Sequence, residues 1–230
     1  MSTVLEVDRL SFSFDGYRQV LDEVTFSVEE GECLGVVGAN GSGKSTLLWC
    51  LLGLHRAEGS VRMFGEARTR KSLRRVGVVF QNPEDQLFMP RLVDDVALPL
   101  LNRGTVREEA RRQAISALQT AGLADAAERS ASQLSLGERK RAAIAAALAT
   151  RPELLMLDEP TAELDGRSVR RLASLLKGLP VTRLIASHDL RFLNGLCSRI
   201  TVLLEGRAIA DGPATEILND AALLDRAGLV

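Results

Sequence analysis

The feature that most constrains the fold is a glycine-rich loop set between a short apolar run and a helical segment. The sequence Gly38-Ala-Asn-Gly-Ser-Gly-Lys-Ser45 fits the pattern G-x-x-x-x-G-K-[ST]. The preceding Glu32–Val37 is mostly apolar and predicts a buried parallel strand, and the following Lys44–Leu54 predicts a helix. In this context the glycines let successive backbone N–H groups point inward, toward a phosphate. The sequence therefore predicts a phosphate-binding α/β protein.

Predicted strands and helices alternate along much of the chain, which is typical of a mainly parallel sheet with helices on both faces. Val4–Phe14 and Val20–Val28 alternate apolar and polar residues and predict half-buried strands ahead of the loop. The other predicted strands are Ser60–Phe64, Val76–Phe80, Glu153–Leu157, Val181–Ser187, Arg199–Leu204 and Arg207–Ala210. Predicted helices cover Gly166–Gly178, Asp189–Cys197 and the C-terminus.

The middle of the chain has helical rather than strand patterns. Thr105 and Glu108 have the spacing of a capping box and predict the start of a helix that stops at Gly122. Ser135 and Glu138 repeat that spacing and predict a second helix, through an alanine-rich stretch to residue 150. We therefore predict one domain over residues 1–230, with a core of 1–82 and 152–230 and a helical lobe at about 83–151.

Composition and charge exclude some classes of protein. The 230 residues are 46% hydrophobic and 26% charged, as in soluble globular proteins, and the net charge of -1 gives no overall attraction for nucleic acid. No apolar run approaches the roughly 18–20 residues that span a bilayer, and the N-terminus does not resemble a signal peptide. The three cysteines lack metal-ligand spacing and predict buried free thiols. We expect a cytoplasmic protein that reaches a membrane only through a partner.

Polar side chains follow several predicted strands. The apolar run Leu154–Leu157 ends in Asp158 and Glu159, which point in different directions, so that Asp158 can support Mg²⁺ while Glu159 faces an attacking water. A plain strand-to-loop boundary would also place acids there. Gln81 and His188 follow two further strands. Because ligands bind at the carboxyl ends of parallel strands, we expect these groups and the glycine-rich loop to converge on one crevice.

The segment Leu134-Ser-Leu-Gly-Glu138 opens the alanine-rich helix, and capping alone could explain Ser135 and Glu138. However, Arg139, Lys140 and Arg141 occupy the first turns, where positive charge opposes the helix dipole. A local rule broken without an obvious gain often marks a functional site. We interpret this helix end, flanked by basic residues, as suited to a polyphosphate.

Over essentially its whole length, and in the same motif order, the sequence resembles the ATP-binding-cassette family. The resemblance implies a P-loop NTPase core with a parallel sheet, an N-terminal antiparallel β part and an inserted helical lobe. It makes Glu159 the catalytic carboxylate, Gln81 the lid glutamine and His188 the switch histidine. Mg²⁺ would be held by Ser45, Gln81 and Asp158. The residues implied to bind ATP are Phe14, Gly38, Ala39, Asn40, Gly41, Ser42, Gly43, Lys44, Ser45, Thr46, Ser135, Gly137, Glu138 and Asp165.

Two positions depart from the family pattern or leave it open. The family's signature motif usually reads Leu-Ser-Gly-Gly-Gln, and Leu136 and Glu138 replace its middle glycine and its glutamine here. Phe14 stands near the place where the family stacks an aromatic ring on adenine, and Tyr17 is a rival for that role. The resemblance also implies a homodimer or heterodimer, in which each Ser135–Gly137 helix end meets the ATP of the opposite subunit.

A narrower resemblance rests on Val79–Phe88 and Leu223–Leu229, which are similar to the ATPases of energy-coupling-factor and cobalt or nickel importers. These work beneath a transmembrane coupling protein and a substrate-capture protein, so the resemblance implies a peripheral location on the inner face of the cell membrane. The alternatives are the motor of another importer, such as one for amino acids, and a soluble member in DNA repair or translation. Transport is favoured because the chain has no heptad array and only one phosphate loop.

The segment Gln86–Pro90 presents three large apolar residues, Leu87, Phe88 and Met89, in a predicted loop. Such residues are seldom exposed without a reason. We expect this segment to line a groove for a helix of the transmembrane partner. The alternative is that the three side chains pack inside the helical lobe.

Overall fold

The computed structural model describes residues 2–14 and 16–230. The strands there are β1 (Thr3–Ser13), β2 (Gln19–Glu29), β3 (Cys33–Val37), β4 (Glu58–Met63), β5 (Glu66–Ala67), β6 (Val76–Val79), β7 (Leu154–Asp158), β8 (Thr182–Ser187), β9 (Arg199–Leu204) and β10 (Arg207–Pro213). The helices are α1 (Lys44–Leu52), α2 (Arg70–Leu73), α3 (Leu92–Leu101), α4 (Arg107–Thr120), α5 (Leu136–Ala149), α6 (Gly166–Lys177), α7 (Leu190–Asn194), α8 (Ala214–Ile217) and α9 (Ala221–Arg226).

These elements form two compact units, Met1–Arg74 with Pro180–Val230, and Arg75–Leu179. The predicted helical lobe at 83–151 falls inside the second unit, which extends beyond it at both ends. The assignment of 1–82 and 152–230 to one core stays a prediction.

The first unit contains two kinds of strand pairing. Strands β1, β2, β4 and β5 form an antiparallel sheet, which confirms the predicted N-terminal antiparallel part. Strand β3 is buried along its whole length and pairs in parallel with both β8 and β9. Burial on both faces is what its mostly apolar sequence predicted. Strands β9 and β10 are antiparallel neighbours, with Arg207 opposite Leu204.

The second unit combines a parallel pair with a helical layer. Strands β6 and β7 run in parallel, with Val79 opposite Leu157. Helices α3, α4 and α5 pack on one another around an apolar cluster that includes Leu92, Leu118 and alanines of α5. The alanine-rich sequence of α5 therefore serves close helix packing.

Two features of this helical layer differ from the sequence-based expectations. Thr105 does not cap α4: its N–H donates to Leu100 O in the turn that ends α3, and the helix begins after Val106, which makes no side-chain capping bond. Helix α3 was not predicted at all. Its first-turn N–H groups donate to backbone carbonyls of residues 127 and 129, so its start has no local capping residue to recognise.

The three apolar residues of the segment Gln86–Pro90 differ in burial. Leu87 is buried in the apolar cluster, so the expectation that it lines an open groove is wrong. Phe88 is 65% exposed, and Met89 is half-buried. The backbone N–H groups of Phe88 and Met89 both donate to Asp95 Oδ1 at 2.9 Å. Asp95 is buried in α3, so this exposed turn is fastened to the helical layer.

Candidate functional site

The glycine-rich loop joins β3 to α1 in the first unit, and its glycines are required by close contacts. Gly41 and Gly43 have positive φ values of 82° and 105°. A Cβ atom on Gly38 would lie 2.4 Å from Leu203 O, and one on Gly43 would lie 2.9 Å from Val20 O. Neither distance can be met by a real side chain, so the neighbouring backbone fixes both residues as glycine.

The donors of this loop fit a phosphate group. Helix α1 begins without a side-chain cap and without an acidic residue in its first turn, so its positive end is not neutralised locally. Lys44 is buried, and its Nζ donates to Gly38 O at 2.8 Å and to Ala39 O at 3.1 Å. The buried Ser42 Oγ has no hydrogen-bond partner within the described residues. An anion in the loop would supply acceptors to this hydroxyl and to the lysine.

The remaining loop residues implied to bind ATP differ in exposure. Asn40 and Gly41 are exposed, Ala39 and Ser45 are half-buried, and Thr46 is buried. The exposed part therefore lies at the tip of the loop, and the buried part lies in the first turn of α1.

His188 lies beside the glycine-rich loop in the sheet order. Strands β3 and β8 are parallel neighbours with Val37 opposite Ser187, so Gly38 and His188 leave the sheet at the same edge. The His188 side chain is exposed. The predicted placement of these two groups, each after its own parallel strand, is thus present in the first unit.

In the second unit, Gln81 and the two carboxylates are placed by the same geometry. Because β6 and β7 are parallel, Gln81, which follows β6, and the Asp158–Glu159 pair, at the end of β7, lie at one edge. Asp158 and Glu159 are 3% and 5% exposed, whereas Gln81 is exposed. Two buried acids at a strand end are unusual unless a positive group or a metal ion balances them.

Glu159 has a strained backbone. Its φ of 40° lies in the left-handed region, which costs a residue with a Cβ atom about 1–2 kcal/mol. The carbonyl oxygen of Glu159 accepts from Ala162 N at 3.1 Å and from Lys140 Nζ at 3.2 Å. Strained residues persist where their surroundings over-determine them, and they are concentrated at functional sites.

Two of the three basic residues at the start of α5, Lys140 and Arg141, are buried, so the expectation that they flank this helix end as part of an anion site is wrong. Lys140 is 2% exposed, and its Nζ donates to Gln81 O at 2.6 Å as well as to Glu159 O. Arg141 is 8% exposed and donates to Ala121 O and Gly137 O. Burial lowers the pKa of Lys140, while the charges of nearby carboxylates oppose that shift. These cations instead satisfy backbone carbonyls inside the second unit.

The start of α5 has the predicted capping box. Ser135 is exposed at the N-cap, and its N–H and hydroxyl donate to Glu138 Oε2 at 2.8 and 2.7 Å. The Ser135 hydroxyl, followed by the Ser135 backbone N–H, lowers the pKa of Glu138. A Cβ atom on Gly137 would lie 2.6 Å from Ser168 Oγ, so contact with α6 already requires glycine there. Capping and packing thus account for Glu138 and Gly137 without a nucleotide.

Asp165, one of the residues implied to bind ATP, is the N-cap of α6. Its Oδ1 accepts from Arg167 N and Ser168 N, both at 2.8 Å. The Ser168 N–H is the largest cause of the lowered pKa of Asp165. The exposed carboxylate is therefore held in one orientation at the start of the helix.

Both candidate adenine-stacking rings are exposed. Phe14 is 63% exposed and Tyr17 is 96% exposed. Phe14 meets Phe12 and His55 edge-on, with ring centroids 4.9 and 5.4 Å apart. Phe14 is thus supported by an aromatic cluster, and the choice between the two rings stays open.

Comparison with known proteins decides the family. Residues 21–162 match the family model of the ABC transporter. The chain is 39% identical to the cobalt import ATP-binding protein of Rhodobacter capsulatus, covering 100% of this chain and 85% of that protein. It is 37% identical to the energy-coupling factor transporter ATP-binding protein of Methanosphaera stadtmanae, covering 100% of this chain and 86% of that one.

The chain belongs to the ABC transporter family. It is an ATP-binding ATPase subunit of that family. A solved structure, cbiO1 from Clostridium perfringens, described as part of the ABC transporter complex cbiONQ, is similar with a TM-score of 0.86 and 30% identity. The match covers 100% of this chain and 96% of that chain. The predicted fold class and the resemblance to cobalt and energy-coupling-factor ATPases are confirmed.

Other sequence-based expectations for this ABC ATPase have plain outcomes. Cys33, Cys50 and Cys197 are buried free thiols, as predicted. None of the helices in residues 2–14 and 16–230 has the length and apolar character needed to cross a membrane.

The capping box of this ABC ATPase predicts a pH-dependent stability. Because the pKa of Glu138 is lowered in the folded state, its contribution is complete above the unfolded pKa of about 4.3 and is lost as pH falls through the folded pKa. Glu138→Gln keeps a capping partner and removes the charge. We expect wild type to be more stable at pH 7 by a few tenths to about 1 kcal/mol. Urea unfolding at several pH values should show that advantage shrinking on acidification.

The matched control is Glu108→Gln, in the first turn of α4, where no side-chain capping bond exists. Its stability difference should change less with pH. A Glu138→Gln difference that stays constant from pH 7 into the acid range would contradict the assigned role of the carboxylate.

Proposed function

We propose that this chain is the ATP-hydrolysing motor of an energy-coupling-factor type importer for a metal ion, such as cobalt or nickel, or for a vitamin. The observation that carries the ATPase part is the phosphate-fitting loop between β3 and α1, with its buried Lys44. The importer type is supported by full-length similarity to the cobalt import protein of Rhodobacter capsulatus. The membrane partners would be a transmembrane coupling protein and a substrate-binding membrane protein.

The proposed chemistry assigns one task to each polar group. Lys44 and the N–H groups of the glycine-rich loop bind the β- and γ-phosphates. Glu159 orients the attacking water, and His188 contacts the γ-phosphate. Ser45, Gln81 and Asp158 carry the oxygen atoms that Mg²⁺ prefers. When bound, Mg²⁺ neutralises charge that develops on the transferring phosphoryl group.

Substitutions should separate binding from turnover. Glu159→Gln removes the carboxylate charge, so we expect it to bind ATP normally and to lose about 10²-fold or more in turnover, as when other positioning groups are removed. Lys44→Ala should weaken ATP binding itself, and His188→Ala should resemble Glu159→Gln. Nucleotide affinity and phosphate release are the two measurements.

The control is Glu153→Gln, which changes an exposed acid just before β7, paired with Arg75. It should leave turnover unchanged. Wild-type turnover by Glu159→Gln would show that the hydrolytic carboxylate has been assigned wrongly.

We further propose an ATP-dependent sandwich of two subunits. Ser135 is exposed at the start of α5, where the helix N-terminus can receive an anion from a partner. In a symmetric pair the same contact would occur twice. The partner is a second copy or a sister cassette, and ATP would stabilise the pair until it is hydrolysed.

Light scattering on Glu159→Gln tests the homodimer. ATP should raise its mass from monomer to dimer, ADP should not, and an added Ser135→Arg should abolish the change by placing a bulky cation at the contact. Ser132→Arg, at a nearby exposed serine, is the matched control and should still dimerise. Monomer with ATP at high protein concentration would exclude the homodimer.

Phe88 is the residue that best supports docking to the membrane component. It is 65% exposed in a turn held by Asp95, so its ring is presented on a fixed backbone. An exposed aromatic ring beside the half-buried Met89 suits an apolar helix of the transmembrane coupling protein. Because this turn follows Gln81 closely, motion at the nucleotide could reach the membrane through it.

Phe88→Asp should leave the chain folded and able to bind ATP, because the side chain has little packing to lose. It should prevent co-purification with the membrane component. Leu87→Asp, in contrast, places a charge in the apolar cluster and should unfold the second unit. Val106→Asp changes another exposed apolar residue and should assemble normally. Normal assembly of Phe88→Asp would place the docking surface elsewhere.

A further inference from the structure

Lys140 joins the two strand-end segments that carry the proposed chemistry of the second unit. Its Nζ donates to the carbonyl oxygens of Gln81, after β6, and Glu159, after β7, at 2.6 and 3.2 Å. The lysine lies in α5, whose N-terminus is Ser135. One side chain therefore connects both segments to the helix of the signature motif.

Burying an ammonium group to make two hydrogen bonds costs desolvation free energy. Removing a cation from water is unfavourable unless it is paired and hydrogen-bonded, and Lys140 is 2% exposed. The charges that compensate it are those of Glu163, Glu159 and Asp158. Two of these are the buried acids at the end of β7, so the cation balances the carboxylate pair while it binds the backbone beside it.

The two carbonyls held by Lys140 belong to backbone whose geometry matters. Glu159 is in the left-handed region, and its carbonyl oxygen is one of the two that Lys140 contacts. Gln81 has an exposed side chain but a carbonyl held by the shorter of the two bonds. The main chain is thus fixed at both residues, which sets the directions in which the Glu159 carboxylate and the Gln81 amide leave the backbone.

We propose that Lys140 is a positioning residue for ATP hydrolysis, which holds the main chain of Gln81 and Glu159 in register so that their side chains act together on the γ-phosphate and the attacking water. This inference rests on the proposed roles of Gln81 and Glu159. It predicts an effect on turnover rather than on ATP affinity, because Lys140 is buried and its Nζ donates to two backbone carbonyl oxygens.

The test compares two variants. Lys140→Met removes the hydrogen-bond donors and the charge but keeps an apolar side chain, whereas Lys140→Arg keeps the donors and the charge. A misplacement of about 1 Å can lower a rate about 10²-fold, so kcat of Lys140→Met should fall between tenfold and a hundredfold. The ATP KM should change less than about threefold, as expected when a group acts only in the transition state. Lys140→Arg should recover most of the rate.

The matched control is Arg68→Met. Arg68 is another cation that donates to two backbone carbonyls, those of Cys50 and Leu51 at the end of α1, away from the proposed chemistry. It should lower the unfolding midpoint without changing kcat. If Lys140→Met does not fold, Lys140→Gln, which keeps one donor group without the charge, takes its place.

A double variant separates positioning from a general loss of stability. Since Lys140 acts through Glu159, Lys140→Met should slow Glu159→Gln much less than it slows wild type. A full additive loss in the double variant, or wild-type kcat in a folded Lys140→Met, would overturn the inference.

The single variant Glu159→Gln distinguishes a failure of the positioning role from a failure of the proposed function. If it loses turnover while Lys140→Met keeps it, the positioning role fails and the proposed function stands. If Glu159→Gln itself turns over normally, the proposed function fails, and the inference built on it fails as well.

Discussion

Parallel strand pairing is the constraint on which the candidate site depends. In a parallel pair the two carboxyl ends lie at the same edge, so whatever follows them is brought together without any further contact. Pairing of β3 with β8 places the glycine-rich loop beside His188, and pairing of β6 with β7 places Gln81 beside Asp158 and Glu159. Each pair is far apart in sequence. Strands β3 and β7 are buried along their whole length, so the end of each apolar run fixes where its polar groups begin.

The parts of the fold that sequence predicted well are those encoded locally. The apolar run of β3, the glycine-rich loop and the start of α1 lie within twenty residues of one another, and each carries its own signal. The same holds for the capping box of Ser135 and Glu138, where both partners of the hydrogen bonds lie within one turn. In these segments the pattern and the structure are set by the same neighbours, which is why the predicted boundaries differ from the observed ones by only a few residues.

The sequence-based predictions failed where contacts with a distant part of the chain determine the local structure. Helix α3 has first-turn N–H groups bonded to carbonyls more than thirty residues away, so its N-terminus carries no capping signature. Thr105 has the right residue type for a cap, yet the turn after α3 takes up its backbone N–H. Leu87 and Phe88 are adjacent large apolar residues with opposite exposures: Leu87 packs into the apolar cluster, whereas Phe88, whose N–H donates to Asp95, is 65% exposed. The sequence pattern is the same for both residues and does not distinguish the buried side chain from the exposed one.

Two features that lower the stability of the folded chain both involve one atom, the carbonyl oxygen of Glu159. Its residue adopts a left-handed backbone, and a buried lysine bonds to it. Either feature would be removed by a change toward greater stability: a glycine at 159 would relieve the strain, and an apolar residue at 140 would avoid burying a cation. A chain shaped by stability alone would have no reason to place both at one peptide. Their coincidence is understandable if the direction of the Glu159 carboxylate matters more than the free energy it costs, since a fixed orientation before reaction lowers the barrier that a mobile side chain would have to cross. On this argument, the interior of the second unit is arranged around its carboxylate pair, and Lys140, one of the basic residues that first suggested an exposed anion site, belongs to its support.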